Sequence, residues 1–127
     1  RSALPARSEM CIRDSRHPNL NMIIGHWGEF VPFFLERMDD ILFADHLEHP
    51  ISYYFKNNFY ITPSGMLTKP QFDLVKAEVG VDRILYSADY PYVEPEKLGT
   101  FLDELDLTEE EKEKISYKNG AKLLGLE

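Results

Sequence analysis

The sequence predicts an α/β fold built on a short parallel sheet, and three observations lead there. Three apolar or β-branched runs alternate with stretches of helical periodicity. Each run is closed by turn-forming residues within a few positions. Each is also followed by a polar residue with chemistry to offer: His26 after the first, Ser64 after the second and Asp89 after the third. In parallel α/β folds ligands bind at the C-terminal ends of the strands, so this shared position weighs more than any single side chain.

In chain order, residues 21–25 (Asn-Met-Ile-Ile-Gly) read as a buried strand ended by glycine. Residues 29–44 follow with Val31, Phe34, Leu35, Met38, Ile41 and Leu42 at helical spacing. The second strand is expected over 58–62, where aromatic and β-branched residues run into Pro63-Ser64-Gly65. Thr68 is the candidate N-cap of a helix over 69–79, with Pro70 in its first turn and Gly80 just past its end. The third strand is expected over 83–87. A helix over about 95–104 comes next. The last begins after Thr108, where Glu111 three residues on completes a capping box, and runs to about 118. A short turn at 121–124 ends the pattern.

Composition narrows the partners. A chain of 127 residues with 43% apolar and 13% aromatic content can form one domain with a core. Its formal charge of −8 repels phosphate backbones and anionic lipid, which excludes nucleic acid and membrane surfaces as natural partners. No apolar run approaches the roughly 20 residues of a membrane span, and no apolar signal core opens the chain, so a cytoplasmic location is expected. The single cysteine, Cys11, excludes an internal disulfide.

Among the polar residues, His26 taken alone reads equally as an ordinary satisfied histidine or as a site residue. Glu29, three positions on, is placed to fix the tautomer of its ring. Asp89 sits at a strand end before Tyr90-Pro91. There a carboxylate can cap the next loop, hold a metal or serve as a general acid/base, and spacing alone leaves all three open.

Four motifs carry a resemblance: IIGHWGEFVPFFLERMDDI, YYFKNNFYITPSG, VGVDRILYSADYPYVE and YKNGAKLLGL. In this order and spacing they resemble the C-terminal part of the amidohydrolase-related decarboxylases. That group includes aminocarboxymuconate-semialdehyde, γ-resorcylate and 2,3-dihydroxybenzoate decarboxylases, and the likeness covers about residues 16–127. It implies the last three βα units of a (β/α)8 TIM-type barrel, here an incomplete one, in the amidohydrolase superfamily. It further implies one divalent metal, Zn2+ or Mn2+, and a small aromatic or related unsaturated carboxylic acid as substrate. CO2 is lost without oxidation or an organic cofactor, and the parent enzyme is expected to be a homo-oligomer.

Residue by residue, the resemblance makes His26 a catalytic group facing the substrate and Glu29 its support. Asp89 becomes a metal ligand and the candidate proton donor to carbon. Arg37 takes the place that holds the substrate carboxylate, which suits its planar fork, and Tyr92 the aromatic position lining the site. Pro63 stands where the family has threonine. The family's remaining ligands, an E-x-H pair and a further histidine, have no counterpart here. His17 aligns with a non-ligand position, while His46 and His49 fall in a variable segment. The isolated chain is therefore expected to be inactive. Two other readings are a metal-dependent hydrolase of the same superfamily, such as a lactonase, and a non-catalytic α/β module that binds an anion.

Ser8 to Ser15 match one translated frame of the transposase-end adapter of sequencing libraries. Residues 1–15 are thus expected to be adapter-derived, and 16–127 the C-terminal part of a longer gene product.

Overall fold

The computed structural model of the chain describes residues 16–42 and 47–126. The 1–15 segment with Cys11, and His46, lie outside the described residues.

Strand β1 (Met22–Ile24) pairs in parallel with β2 (Phe59–Ile61), with Met22 opposite Phe59 and Ile24 opposite Ile61. The ladder runs on past both strands: Thr62 N–H donates to the Ile24 carbonyl and Trp27 N–H to the Thr62 carbonyl, each at 2.9 Å. The expected third strand is reduced to one parallel bridge, Ile61 to Ile84, with Leu85 N–H donating to the Ile61 carbonyl at 2.9 Å. Beyond it the Ser87 carbonyl accepts from Gly65 N–H, a loop group, so no further rung forms. β2 is therefore the inner strand and every residue in it is buried. Ile23, on the edge strand, stays 55% exposed.

Helix α1 (Val31–Ile41) turns Val31, Leu35 and Met38 into the core, as the helical spacing predicts. Helix α2 (Ile51–Asn58) was not expected; its buried residues Ile51, Tyr54, Phe55 and Asn58 recur at the spacing of one helix face. The Asn58 side-chain amide donates to the Pro18 and Leu20 carbonyls at 3.0 and 3.1 Å, tying the approach to β1 onto α2.

Helix α3 (Lys69–Val79) carries Pro70 in its first turn and stops where Gly80, at φ 75°, donates its N–H to the Lys76 carbonyl. Thr68 does occupy the N-cap position, but its side chain makes no capping hydrogen bond. The helix expected over 95–104 is instead two single 3-10 turns, Pro95–Leu98 and Phe101–Glu104, parted at Gly99 and Thr100. Glycine is among the weakest helix formers, which accounts for the break.

The capping box at Thr108 is formed in both directions. Its hydroxyl accepts from Glu111 N–H at 3.2 Å, and its own N–H donates to the Glu111 carboxylate at 2.9 Å. Helix α4 (Glu109–Glu113) then continues through a π turn (Lys114–Lys118) into α5 (Asn119–Leu124). Buried Asn119 donates to both the Val81 and Ile84 carbonyls at 2.8 Å, which anchors this last helical run to the third sheet segment. Among the described residues, no helix is long and apolar enough to cross a membrane.

Candidate active site

Three loops meet at the C-terminal edge of the sheet. The first, after β1, passes through Gly25, His26, Trp27, Gly28 and Glu29. The second follows β2 through Ser64 and Gly65, and the third follows Ile84 through Asp89. Among the described residues, every non-glycine with positive φ lies on these loops: His26 at 49°, Trp27 and Glu29 at 55°, Ser64 at 44° and Asp89 at 64°. An L-residue in this region is disfavoured by about 1–2 kcal/mol, so surrounding contacts must impose it.

Those contacts are visible. Trp27 is buried, meets Phe72 edge-on with ring centres 5.8 Å apart, and donates its indole N–H to the Met66 carbonyl. A Cβ at Gly25 would stand 2.5 Å from Ser64 Oγ, so the first loop rests directly on the second. A Cβ at Gly65 would stand 2.7 Å from the Ala88 carbonyl oxygen, and Gly65 has φ 77°, so the second loop rests as closely on the third.

This framework brings three of the sequence-predicted residues together. His26 Nδ1 lies 3.1 Å from Glu29 Oε1, and His26 Nε2 lies 3.7 Å from Asp89 Oδ2. With Glu29 accepting from Nδ1–H, Nε2 is the nitrogen left facing Asp89. The side chains of His26, Glu29 and Asp89 are 41%, 60% and 37% exposed. Pairs this wet contribute about 1 kcal/mol at most, which does not offset the cost of the five non-glycine residues held at positive φ. The arrangement is thus poorly explained by stability and better explained by use.

Beside His26 opens a cleft of about 510 Å³. Its walls are Trp27, Phe30, Phe33, Phe34, Met66 and Leu74, and its polar groups are His26, Glu29 and Gln71. A mostly apolar, aromatic cavity with a few convergent polar groups is the general form of a small-molecule site.

The other expectations fall differently. Arg37 is exposed on α1 and does not line the cleft. Tyr92 is 87% exposed, and its N–H donates to the Asp89 carbonyl at 2.9 Å. Pro63 is fully buried. His49 stacks on Tyr53 with ring centres 4.0 Å apart, and His17 lies in the approach to β1. Among the described residues, no three His, Cys, Asp or Glu side chains gather as a metal-binding group. The Asp89 carboxylate is a donor that Mn2+ or Zn2+ takes, so it fits as one ligand of such a site.

Two features were missed in the sequence. The first is a hydroxyl chain under the loops: Ser87 Oγ donates to Thr62 Oγ1 at 2.8 Å, and Thr62 Oγ1 lies 2.9 Å from Ser64 Oγ. Its signal was available, because each of these hydroxyls sits within three residues of a strand end. The second is Tyr86, whose hydroxyl donates to the Leu98 carbonyl at 2.8 Å. Burial, helped by Asp103 and Glu104, pushes its phenol up to about 12, so it stays protonated at neutral pH.

Fold and site together define a class. The amidohydrolase family model matches residues 14–126, and the chain belongs to that family. Within it, the decarboxylase orsB of Emericella nidulans is 33% identical over 117 residues, covering 86% of this chain and 35% of the relative. Gamma-resorcylate decarboxylase of a Rhizobium species is 32% identical over 120 residues, covering 87% of this chain and 36% of the relative. The chain thus spans just over a third of the curated relatives it matches. Among solved structures, a Staphylococcus aureus protein assigned as an amidohydrolase is 82% identical with a TM-score of 0.85, over 88% of this chain and 37% of that one. A dihydroxybenzoic acid decarboxylase from Polaromonas, with bound manganese and the inhibitor 2-nitroresorcinol, is 28% identical with a TM-score of 0.80, over 89% and 36%. The resemblance drawn from the four motifs is borne out.

Proposed function

We propose that this chain is the C-terminal three βα units of a (β/α)8 barrel whose complete protein is a divalent-metal-dependent, non-oxidative decarboxylase of hydroxybenzoate-type acids. One observation carries the reading: His26 is held between Glu29 and Asp89 at the strand ends, beside a cleft walled by aromatic rings. The decarboxylase relatives support the reaction class, and the manganese in the Polaromonas structure favours Mn2+ over Zn2+.

Asp89 is the ligand this chain contributes, with the remaining ligands coming from the rest of the protein. When bound, the divalent cation supplies positive charge against the negative charge that builds as the substrate ring loses aromaticity. Phe30, Phe33 and Phe34 take the faces of the ring. His26 Nε2 positions a substrate oxygen, while Glu29 keeps the imidazole in the tautomer that leaves Nε2 free. Asp89 takes the proton of the substrate hydroxyl next to the carboxylate and passes it to the carbon that bears the carboxylate; the C–C bond then breaks, its electron pair restores the ring, and CO2 leaves. Arg37 and Tyr92 reach the substrate only in the complete protein. The location is cytoplasmic and the partner a small acid.

The test is to offer the Mn2+-loaded full-length protein 2,6-dihydroxybenzoate and, separately, a lactone. Release of CO2 with formation of resorcinol is expected. Lactone hydrolysis without CO2 release transfers the protein to the hydrolases of the superfamily.

A further inference from the structure

The hydroxyl chain under the three loops has no part in the reading above, yet it joins two of them through side chains and abuts the third. Thr62 is 4% exposed and follows the central strand directly. Its Oγ1 accepts from Ser87 Oγ at 2.8 Å and shares a hydrogen bond with Ser64 Oγ at 2.9 Å. Ser87 lies two residues before Asp89, on the third loop. Ser64 lies on the second loop and presses on Gly25, the residue before His26. The Thr62 backbone adds the third link, since its carbonyl accepts from Trp27 N–H one residue after His26.

We infer that Thr62 is the positioning residue of the site: by holding Ser87 and Ser64 at once, its hydroxyl sets the separation of Asp89 from His26. The inference rests on the proposed role of Asp89 as a metal ligand. The physical reason lies in how loosely the two acting groups are otherwise held. At 3.7 Å, His26 and Asp89 do not hydrogen-bond each other, and both are partly exposed. Asp89 has φ 64°, a backbone conformation that relaxes once its support goes. A buried hydroxyl with both of its bonds made is a stiff support, and removing it also strands the Ser87 hydroxyl without its acceptor.

The full-length protein is compared as wild type, Thr62→Val and Thr62→Ser. Valine keeps the shape and removes the hydroxyl; serine keeps the hydroxyl. Mn2+ affinity, measured by titration of the metal alone, should fall about 10–100-fold in T62V and recover in T62S. A crystal structure of T62V should show His26 Nε2 and Asp89 Oδ2 at a separation different from 3.7 Å. T62V that melts at a lower temperature yet keeps Mn2+ affinity and the separation overturns the inference, because Thr62 then only packs. So does T62S that fails to restore affinity. Wild-type protein that binds Mn2+ but releases no CO2 counts against the decarboxylase reading alone, and the affinity comparison still decides the role of Thr62.

Discussion

Glu29 holds His26 from within a single turn: its carboxylate oxygen lies 3.1 Å from the histidine Nδ1, three residues earlier, and both residues have positive φ. A carboxylate on one ring nitrogen fixes which nitrogen is free for substrate and stabilises the imidazolium when a proton arrives. Glu29→Gln keeps the size and removes the charge. In the full-length protein it should lower turnover by about 10–100-fold while Mn2+ content stays at the wild-type level. Steady-state kinetics and metal analysis on one sample check both.

Asn119 is predicted to matter for stability rather than chemistry. It is buried, and its amide donates to two backbone carbonyls, of Val81 and Ile84, that then have no other side-chain donor among the described residues. Asn119→Ala leaves the Ile84 carbonyl without its donor, while the Val81 carbonyl keeps the Ile84 N–H at 3.2 Å, and the loss costs about 1–3 kcal/mol. Denaturant unfolding of the full-length protein should show the loss, with turnover per folded molecule unchanged.

Acid should weaken the cap of the last helical run. The side-chain hydrogen bond from Lys76, then the backbone N–H of Thr108, hold the Glu111 carboxyl below its usual value of 4.5. The ionised form is thus favoured in the folded state. Its contribution is present above the unfolded value and is lost as pH falls through the folded one. The difference in unfolding midpoint between wild type and Glu111→Gln should be constant near neutral pH and should shrink below about pH 4.5. A difference that persists unchanged into that acid range would contradict the assignment.

Much of this was legible in the sequence where local chemistry dictates structure. Pro70 and Gly80 bound α3, and the pairing of Thr108 with Glu111 announces α4, because caps and breakers act over a few residues. α2 was not legible, since its aromatic and asparagine residues have weak helix propensity and only packing of Ile51, Tyr54 and Phe55 makes it form. The third strand lost all but one rung because Ser87 bonds a loop group, a tertiary fact that no periodicity carries. In the site, His26, Glu29 and Asp89 were found from residue type and position, and the structure does bring them together. The positive-φ backbone that aims them was not visible, because histidine and aspartate adopt it more often than most residues but only the packing of the three loops selects it here. Arg37 and Tyr92 were named by resemblance alone, and within this chain neither lines the cleft.

The most direct test of the account is made on His26→Asn in the full-length, Mn2+-loaded protein, with CO2 release and metal content measured on one sample. His26 is assigned to the substrate and Asp89 to the metal, across the 3.7 Å that separates them. Turnover of 2,6-dihydroxybenzoate should therefore fall by about two to four orders of magnitude, as loss of an acid/base or polarising group does, while Mn2+ stays bound at the wild-type level. Loss of the metal together with the activity, or activity that survives the substitution, would contradict the division of roles between His26 and Asp89.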